Sequence, residues 1–248
     1  SRRCCWWRPG CGRRRRAGGH AVTARIEVTG VSHRLGGRLV LDDVSVRLDE
    51  PRIGIIGANG SGKSTFARLL NGLVVPDRGT VHVDGRSTAK DGAAVRRAVG
   101  FVFTHPDAQI VMPTVAEDVA LSLRRHRLDG GEKTRRVQDV LAQVGLDGFD
   151  DRPSHLLSGG EKQLLAVASV LVAEPAVLVC DEPTTLLDLA NTRRVMSLLM
   201  GLHQQLVLVT HDLDCLDDLD RVLVFDRGRI VVDAPPAQAV AQYRARVG

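Results

Sequence analysis

The chain has 248 residues and an ordinary 44% apolar share, enough for one α/β domain with a subdomain or for two small domains. Its formal charge of +5 sits in one tail. Residues 1–20 carry seven arginines and no acid, whereas the rest holds 27 basic against 29 acidic side chains, so the body lacks the basic surplus that nucleic-acid binding needs. No run approaches the ~20 apolar residues of a membrane-spanning helix; the longest candidate, Leu164 to Cys180, is broken by Glu174-Pro175.

The tail, residues 1–21, also holds both tryptophans and three of the five cysteines. It has neither an apolar segment nor a cleavage pattern of a secretory signal, and reads as a disordered extension or as sequence upstream of a true start near Val22. The other two cysteines, Cys180 and Cys215, lack metal-site spacing and fit a reducing compartment.

Strand signals follow at Ala24–Thr29 and at Leu39–Leu48, with Gly36-Gly37 as the turn before the second. The apolar run Ile53–Ile56 reads as a buried strand. It feeds Gly57-Ala58-Asn59-Gly60-Ser61-Gly62-Lys63-Ser64-Thr65, which fits the phosphate-binding pattern G-x-x-x-x-G-K-[ST]. A helix follows with Phe66, Leu69 and Leu70 on one face and Asn71-Gly72 as its stop. The glycines let successive backbone N–H groups converge on one point, and the helix N-terminus adds positive potential there. Lys63 is placed to reach the outer phosphates of a nucleoside triphosphate, and Ser64 to join a Mg²⁺ shell.

Thr80–Val83 and Val99–Phe103 read as further strands. Strand signals then give way to helical ones, Val115–Leu128 and Glu132–Val144, as in a helical insertion within an α/β domain. Ser158-Gly159-Gly160-Glu161 opens a helix to about Ala173, with Ser158 as N-cap and Glu161 completing a capping box. This is a second anion-attracting helix start. The apolar strand Ala176–Cys180 ends in Asp181-Glu182, a helix covers about Leu189–Leu202, and the strand Leu206–Val209 ends in Thr210-His211. A hairpin, Arg221–Phe225 with Arg229–Val232, turns at Asp226-Arg227-Gly228.

Behind a P-loop, two adjacent carboxylates at a strand end can divide the work. Asp181 would serve the metal and Glu182 would act as general base on water. His211 ends a neighbouring strand and is expected on the same sheet edge, near the γ-phosphate.

With Leu157-Ser158-Gly159-Gly160-Glu161-Lys162-Gln163 added, the chain resembles the ATP-binding cassette family. The P-loop, this signature, the Val177–Pro183 strand end and the Thr210-His211 pair stand in that family's order, and the resemblance covers about Ala24 to Val232. It implies an α/β fold: a P-loop core with a mixed sheet in residues 22–103 and 174–248, and an inserted helical subdomain, residues 104–173, carrying the signature. It also implies a head-to-tail dimer in which Ser158, Gly159, Gly160 and Glu161 of one subunit cap the ATP of the other, with Asp188 at the dimer seam.

Within the family, Pro106-Asp107-Ala108-Gln109 and Thr114-Val115-Ala116-Glu117-Asp118-Val119 look like the ATPases of energy-coupling factor importers of vitamins and metal ions. Thr184-Thr185-Leu186-Leu187-Asp188-Leu189, with Asn191 and Arg193-Arg194, looks most like the biotin-type subunits. The expectation is an ATPase at the cytoplasmic face of the cell membrane. A transmembrane coupling subunit and a substrate-binding membrane subunit would hold it there. The alternative is an ABC ATPase outside transport, such as an iron–sulfur assembly ATPase.

Two positions depart from the family pattern. Thr104 stands where a glutamine usually follows the phenylalanine, leaving a water or Gln109 to substitute. Leu35 stands where an aromatic ring usually stacks on adenine, with His33 beside it as another candidate.

Overall fold

The computed structural model describes residues 23–247, so the expectation for residues 1–21 lies outside the described residues. In chain order the elements are β1 (Ile26–Leu35), β2 (Arg38–Leu48), β3 (Arg52–Gly57), α1 (Lys63–Leu70), β4 (Arg78–Val83), β5 (Arg86–Ser87), α2 (Gly92–Ala98) and β6 (Val99–Val102). They continue with α3 (Val115–Leu121), α4 (Gly130–Val144), α5 (Gly159–Leu171), β7 (Val177–Asp181), α6 (Leu189–Gly201), β8 (Gln205–Val209), β9 (Arg221–Asp226), β10 (Arg229–Ala234) and α7 (Pro236–Val247).

Two sheets result. Four antiparallel strands run in the order β2-β1-β4-β5, and six run in the order β10-β9-β3-β8-β7-β6. In the larger sheet β9, β3, β8, β7 and β6 are parallel, and β10 closes one edge antiparallel. Both of its faces are covered, which suits the near-continuous apolar runs of its inner strands. Val207, Val209, Val177, Val179, Ile53 and Ile55 point into one apolar cluster with Phe66 and Leu69 of α1 and the smaller sheet. Leu206, Leu208, Leu178, Cys180 and Ile56 point into the other, with Val119, Leu141, Leu164 and Leu165 of the inserted helices. Each such fully buried side chain contributes about 1.5–3 kcal/mol of transfer free energy.

β1 extends to Leu35, past the expected end at Thr29. Gly30 with φ +58° lets the strand continue through irregular pairing with β2 between Val28 and Val31. Gly36 and Gly37, at φ +56° and +82°, close the β1–β2 hairpin, a turn that needs two left-handed residues in succession. The expected helix Val115–Leu128 stops at Leu121, and residues Ser122–Arg125 tighten into a 3-10 turn. Three elements went unanticipated: β5, α2 and α7. β5 is two residues long, too short for any periodicity. The signal for α7 was present, with proline at its first position and Ala239, Val240 and Tyr243 packing on the core.

Two helices of the insertion begin with reciprocal caps. Thr114 and Glu117 form one at α3, and Ser158 and Glu161 form the other at α5. Asp118 is 2% exposed and accepts from the N–H groups of Val111 and Met112, at 2.8 and 3.0 Å, and from Ser169 Oγ at 2.9 Å. It therefore ties the 111–112 loop to α5. Among the described residues no helix is long and apolar enough to cross a membrane.

Candidate functional site

The parallel strands deliver their C-terminal ends to one edge. Asp181 pairs with Val209, and Val209 with Ile55, so the ends of β7, β8 and β3 lie level. At the end of β3, Gly57 adopts φ +147°, and a Cβ there would stand 2.2 Å from the Phe225 carbonyl oxygen. Only glycine lets the chain turn so close to β9. The loop then folds back, with Ser61 N–H donating to the Ala58 carbonyl at 3.1 Å, and α1 starts after Gly62.

Lys63 is 5% exposed, and its Nζ donates to the carbonyls of Gly57 at 2.8 Å and Ala58 at 3.0 Å. Burial lowers its pKa, and the Glu182 and Asp181 carboxylates push it back up. The Ser61 hydroxyl is buried, with no hydrogen-bond partner among the described residues. Ser61 also lines a groove of about 310 Å³. That groove runs from Leu35, Arg38, Leu39 and Val40, past residues 59–65, to Glu182.

Asp181 is 1% exposed, and burial holds its carboxyl above the usual range although the Ser64 hydroxyl and Arg68 oppose the shift. Ser64 Oγ donates to Asp181 Oδ1 at 2.8 Å, joining the P-loop helix to β7. Arg68 stands 3.8 Å from Oδ2. Thr104 Oγ1 donates to the Asp181 backbone carbonyl at 2.8 Å, so β6 is also tied to this strand end.

Glu182 takes φ +52°, an uncommon conformation for a non-glycine residue, held by its N–H donating to the Val209 carbonyl at 2.9 Å. Glu182 Oε2 accepts from Thr185 Oγ1 at 2.8 Å and lies 3.1 Å from His211 Nδ1. Lys63, Ser64, Asp181, Glu182, His211 and Thr104 thus meet at one sheet edge.

Gln109 is not among them. Its Nε2 donates to the Ala166 carbonyl at 2.9 Å and its Oε1 accepts from Phe103 N–H at 3.3 Å. The amide is used in joining the end of β6 to α5, so it does not stand in for the missing glutamine at position 104. Gln109→Ala should lower stability by about 1–2 kcal/mol, the net worth of two hydrogen bonds, while leaving the ATP dissociation constant unchanged. Thermal melting and nucleotide titration would test this, and a large loss of affinity would return Gln109 to the site. His33 Nδ1 faces Asp77 Oδ2 at 3.3 Å without a hydrogen bond between them, and its side chain is 13% exposed.

None of Ser158, Gly159, Gly160 and Glu161 lines the P-loop groove. The start of α5 is instead tied to α6. Asp188 caps α6 by accepting from Asn191 N–H at 2.8 Å and from Asn191 Nδ2 at 2.9 Å. Gly160 rests on the same Asn191, where a Cβ would come within 2.3 Å of Asn191 Oδ1. Asn191 therefore couples Asp188 to the Ser158–Glu161 turn, a role its place in the sequence did not signal. Leu186 and Leu189 beside it are 63% and 65% exposed. Of the other described reactive groups, the thiols of Cys180 and Cys215 both have raised pKa values, chiefly through burial, which disfavours the thiolate.

A Walker-type loop at the head of a parallel strand, with paired carboxylates two strands away, defines a P-loop nucleoside triphosphatase. The model of the family described as ABC transporter matches residues 41–185. The chain is 53% identical over 222 residues to a putative ABC transporter ATP-binding protein of Deinococcus radiodurans, covering 90% of this chain and 98% of that protein. It is 46% identical over 223 residues to the biotin transport ATP-binding protein BioM of Rhizobium etli, with the same two coverages, 90% and 98%. Among solved structures, cbiO1 of Clostridium perfringens, part of the ABC transporter complex cbiONQ, superposes with a TM-score of 0.79 at 31% identity, covering 89% of this chain and 92% of that one. The chain belongs to the ABC transporter family, as one of its ATP-hydrolysing members.

Proposed function

We propose that this chain is the ATP-hydrolysing subunit of an energy-coupling factor importer, with biotin as the transported vitamin. The observation that carries the reading is its near full-length similarity to a biotin transport ATP-binding protein.

ATP lies along the groove with its phosphates over residues 59–65. Lys63 turns from the Gly57 and Ala58 carbonyls to the β- and γ-phosphates, exchanging neutral acceptors for charged ones. The Ser61 hydroxyl, buried and without a partner, gains one. The Ser64 hydroxyl and Asp181 carboxylate fit Mg²⁺. Both are hard oxygen donors, and magnesium ordinarily takes one or two protein ligands and fills its shell with phosphate and water. No group of three or more His, Cys, Asp or Glu residues among the described residues forms a cage of its own, which suits an ion shared with phosphate. When bound, Mg²⁺ would neutralise charge on the β- and γ-phosphate oxygens.

Glu182 takes a proton from the attacking water as general base. His211 orients that carboxylate through the 3.1 Å contact and reaches toward the γ-phosphate. Thr104 fixes the Asp181 strand end through its backbone carbonyl. A second subunit supplies Ser158, Gly159 and Gly160 at the helix start of α5 to the far side of the nucleotide. Leu186 and Leu189, exposed beside Asp188, are buried at the seam.

A wider cleft, about 350 Å³, lies away from the P-loop between α2 and the end of α3, and includes Leu73, Phe101, Phe103, Arg125 and Val170. Phe103 precedes Thr104, so a cytosolic helix of the membrane partner seated here is one residue from the Asp181 tie. Leu73 is 46% exposed at this cleft. Leu73→Glu should abolish capture of the membrane partner from detergent-solubilised native membranes without lowering the melting temperature.

The parent protein, tagged and purified in the same way, should bring a multi-helix membrane protein and a small biotin-binding membrane protein, and cells lacking it should lose high-affinity biotin uptake. Soluble partners alone, with uptake intact, would sink the importer reading.

A further inference from the structure

Among the described residues, the base end of the groove carries no aromatic side chain. Leu35, Arg38, Leu39, Val40 and Asn59 line it, while the described aromatics lie elsewhere, Phe66 and Phe225 buried in the core. Leu35 is 65% and Leu39 41% exposed, an apolar shelf open to solvent. Arg38 opens β2 directly after the hairpin turn and is exposed. Its guanidinium makes no hydrogen bond or ion pair among the described residues. The turn itself is held by other groups: Arg34 Nη1 donates to the Gly37 carbonyl at 2.8 Å, and Arg34 N–H donates to Asp77 Oδ2 at 2.6 Å. Arg38 therefore has a fixed base and an uncommitted planar head. It also lines a second recess with Asn59, Gly60 and Arg227, which adjoins the first on the same side of the P-loop.

A guanidinium plane stacks on a π face, and does so with little regard to which base carries that face. We infer that Arg38 is the stacking platform for the nucleobase, with Leu35 and Leu39 as its apolar flank, and that the site selects triphosphate over base. The inference rests on the ATP-binding reading above. Among the side chains at this end, Leu35, Leu39 and Val40 are apolar and offer no hydrogen bond to separate adenine from guanine. Asn59 is the one neutral amide there. The discrimination that buried, paired polar groups provide is consequently absent.

The test is equilibrium titration of the full chain with the Mg²⁺ complexes of ATP, GTP, CTP and inorganic tripolyphosphate. For the parent protein, ATP and GTP should bind within about threefold of each other and CTP within about tenfold. Arg38→Ala should weaken all three nucleotides by about three- to tenfold and leave tripolyphosphate unchanged. Arg38→Lys keeps the charge but not the plane and should behave as Arg38→Ala. Equal loss for tripolyphosphate, or full rescue by lysine, would make Arg38 a phosphate contact and overturn the platform. Preference for ATP over GTP by a hundredfold or more would overturn the relaxed selection. Failure of the parent to bind either nucleotides or tripolyphosphate would instead overturn the P-loop reading, and this inference with it. Unchanged ATP affinity in Arg38→Ala would remove the inference alone.

Discussion

Glu182→Gln should bind ATP within about threefold of the parent and turn it over at least about a hundredfold more slowly, because a positioned general base is worth about 10²–10⁴ in rate. The amide matches the carboxylate in shape. Its oxygen still accepts from the Thr185 hydroxyl, now 2.8 Å from Glu182 Oε2, and the strained backbone at φ +52° is untouched. What disappears is the capacity to take a proton from water. Single-turnover hydrolysis separates this from a binding defect, since nucleotide occupancy stays full while phosphate release stalls. With hydrolysis stalled and the second subunit held by ATP, light scattering should report a dimer that persists with ATP and Mg²⁺ and separates in the parent. Parent-like turnover would move the base to another residue, and His211, 3.1 Å away, would be the first to examine.

Lys63→Ala should raise the ATP dissociation constant by about ten- to a hundredfold, since charge-assisted hydrogen bonds contribute about 1.5–3 kcal/mol. The ammonium is unusually well placed for so large an effect. It is 5% exposed, and its present partners, the Gly57 and Ala58 carbonyls, are neutral acceptors that a phosphate outcompetes. It also offsets the charge of Asp181, whose carboxyl burial already pushes up. Without Lys63 that carboxyl moves further up, which weakens the Ser64–Asp181 pair as a magnesium site. Mg²⁺-ATP should therefore lose more affinity than ATP in the presence of a chelator. Equal affinities in parent and variant, measured by titration, would contradict a phosphate role for Lys63.

The two variants probe different links. Lys63 opens α1 after the loop that follows β3, and Glu182 directly follows β7, with β8 between the two strands in the sheet. A loss of binding in one and of chemistry alone in the other is the pattern expected when a shared sheet edge, not a single local motif, assembles the site.

Much of this was legible from residue order, because the elements concerned are local. A glycine-rich turn before Lys63-Ser64 needs only neighbouring residues to form a phosphate nest. Ser158 and Glu161 close their capping box within one helical turn, at 3.3 and 2.7 Å. The apolar strands before Gly57, Asp181 and Thr210 are recognisable from composition, and parallel pairing then places their ends on one edge.

Long-range contacts required the folded chain. Thr104 reaches a carbonyl 77 positions away, and Gln109 is committed to Ala166 across 57, so only the tertiary structure distinguishes the residue at the site from the one bracing it. Asn191 bridges Asp188 and Gly160 because α5 and α6 pack side by side, which no helical pattern announces. Among the described residues, the open shelf at Leu35 and the unpaired guanidinium of Arg38 depend on which elements leave a hairpin tip uncovered. Sequence determined the chemistry and the family through motifs whose geometry is short-range; the tertiary structure decided which polar groups are spent holding the fold and which remain for the nucleotide, because hydrogen-bond partners are allocated only when distant elements meet.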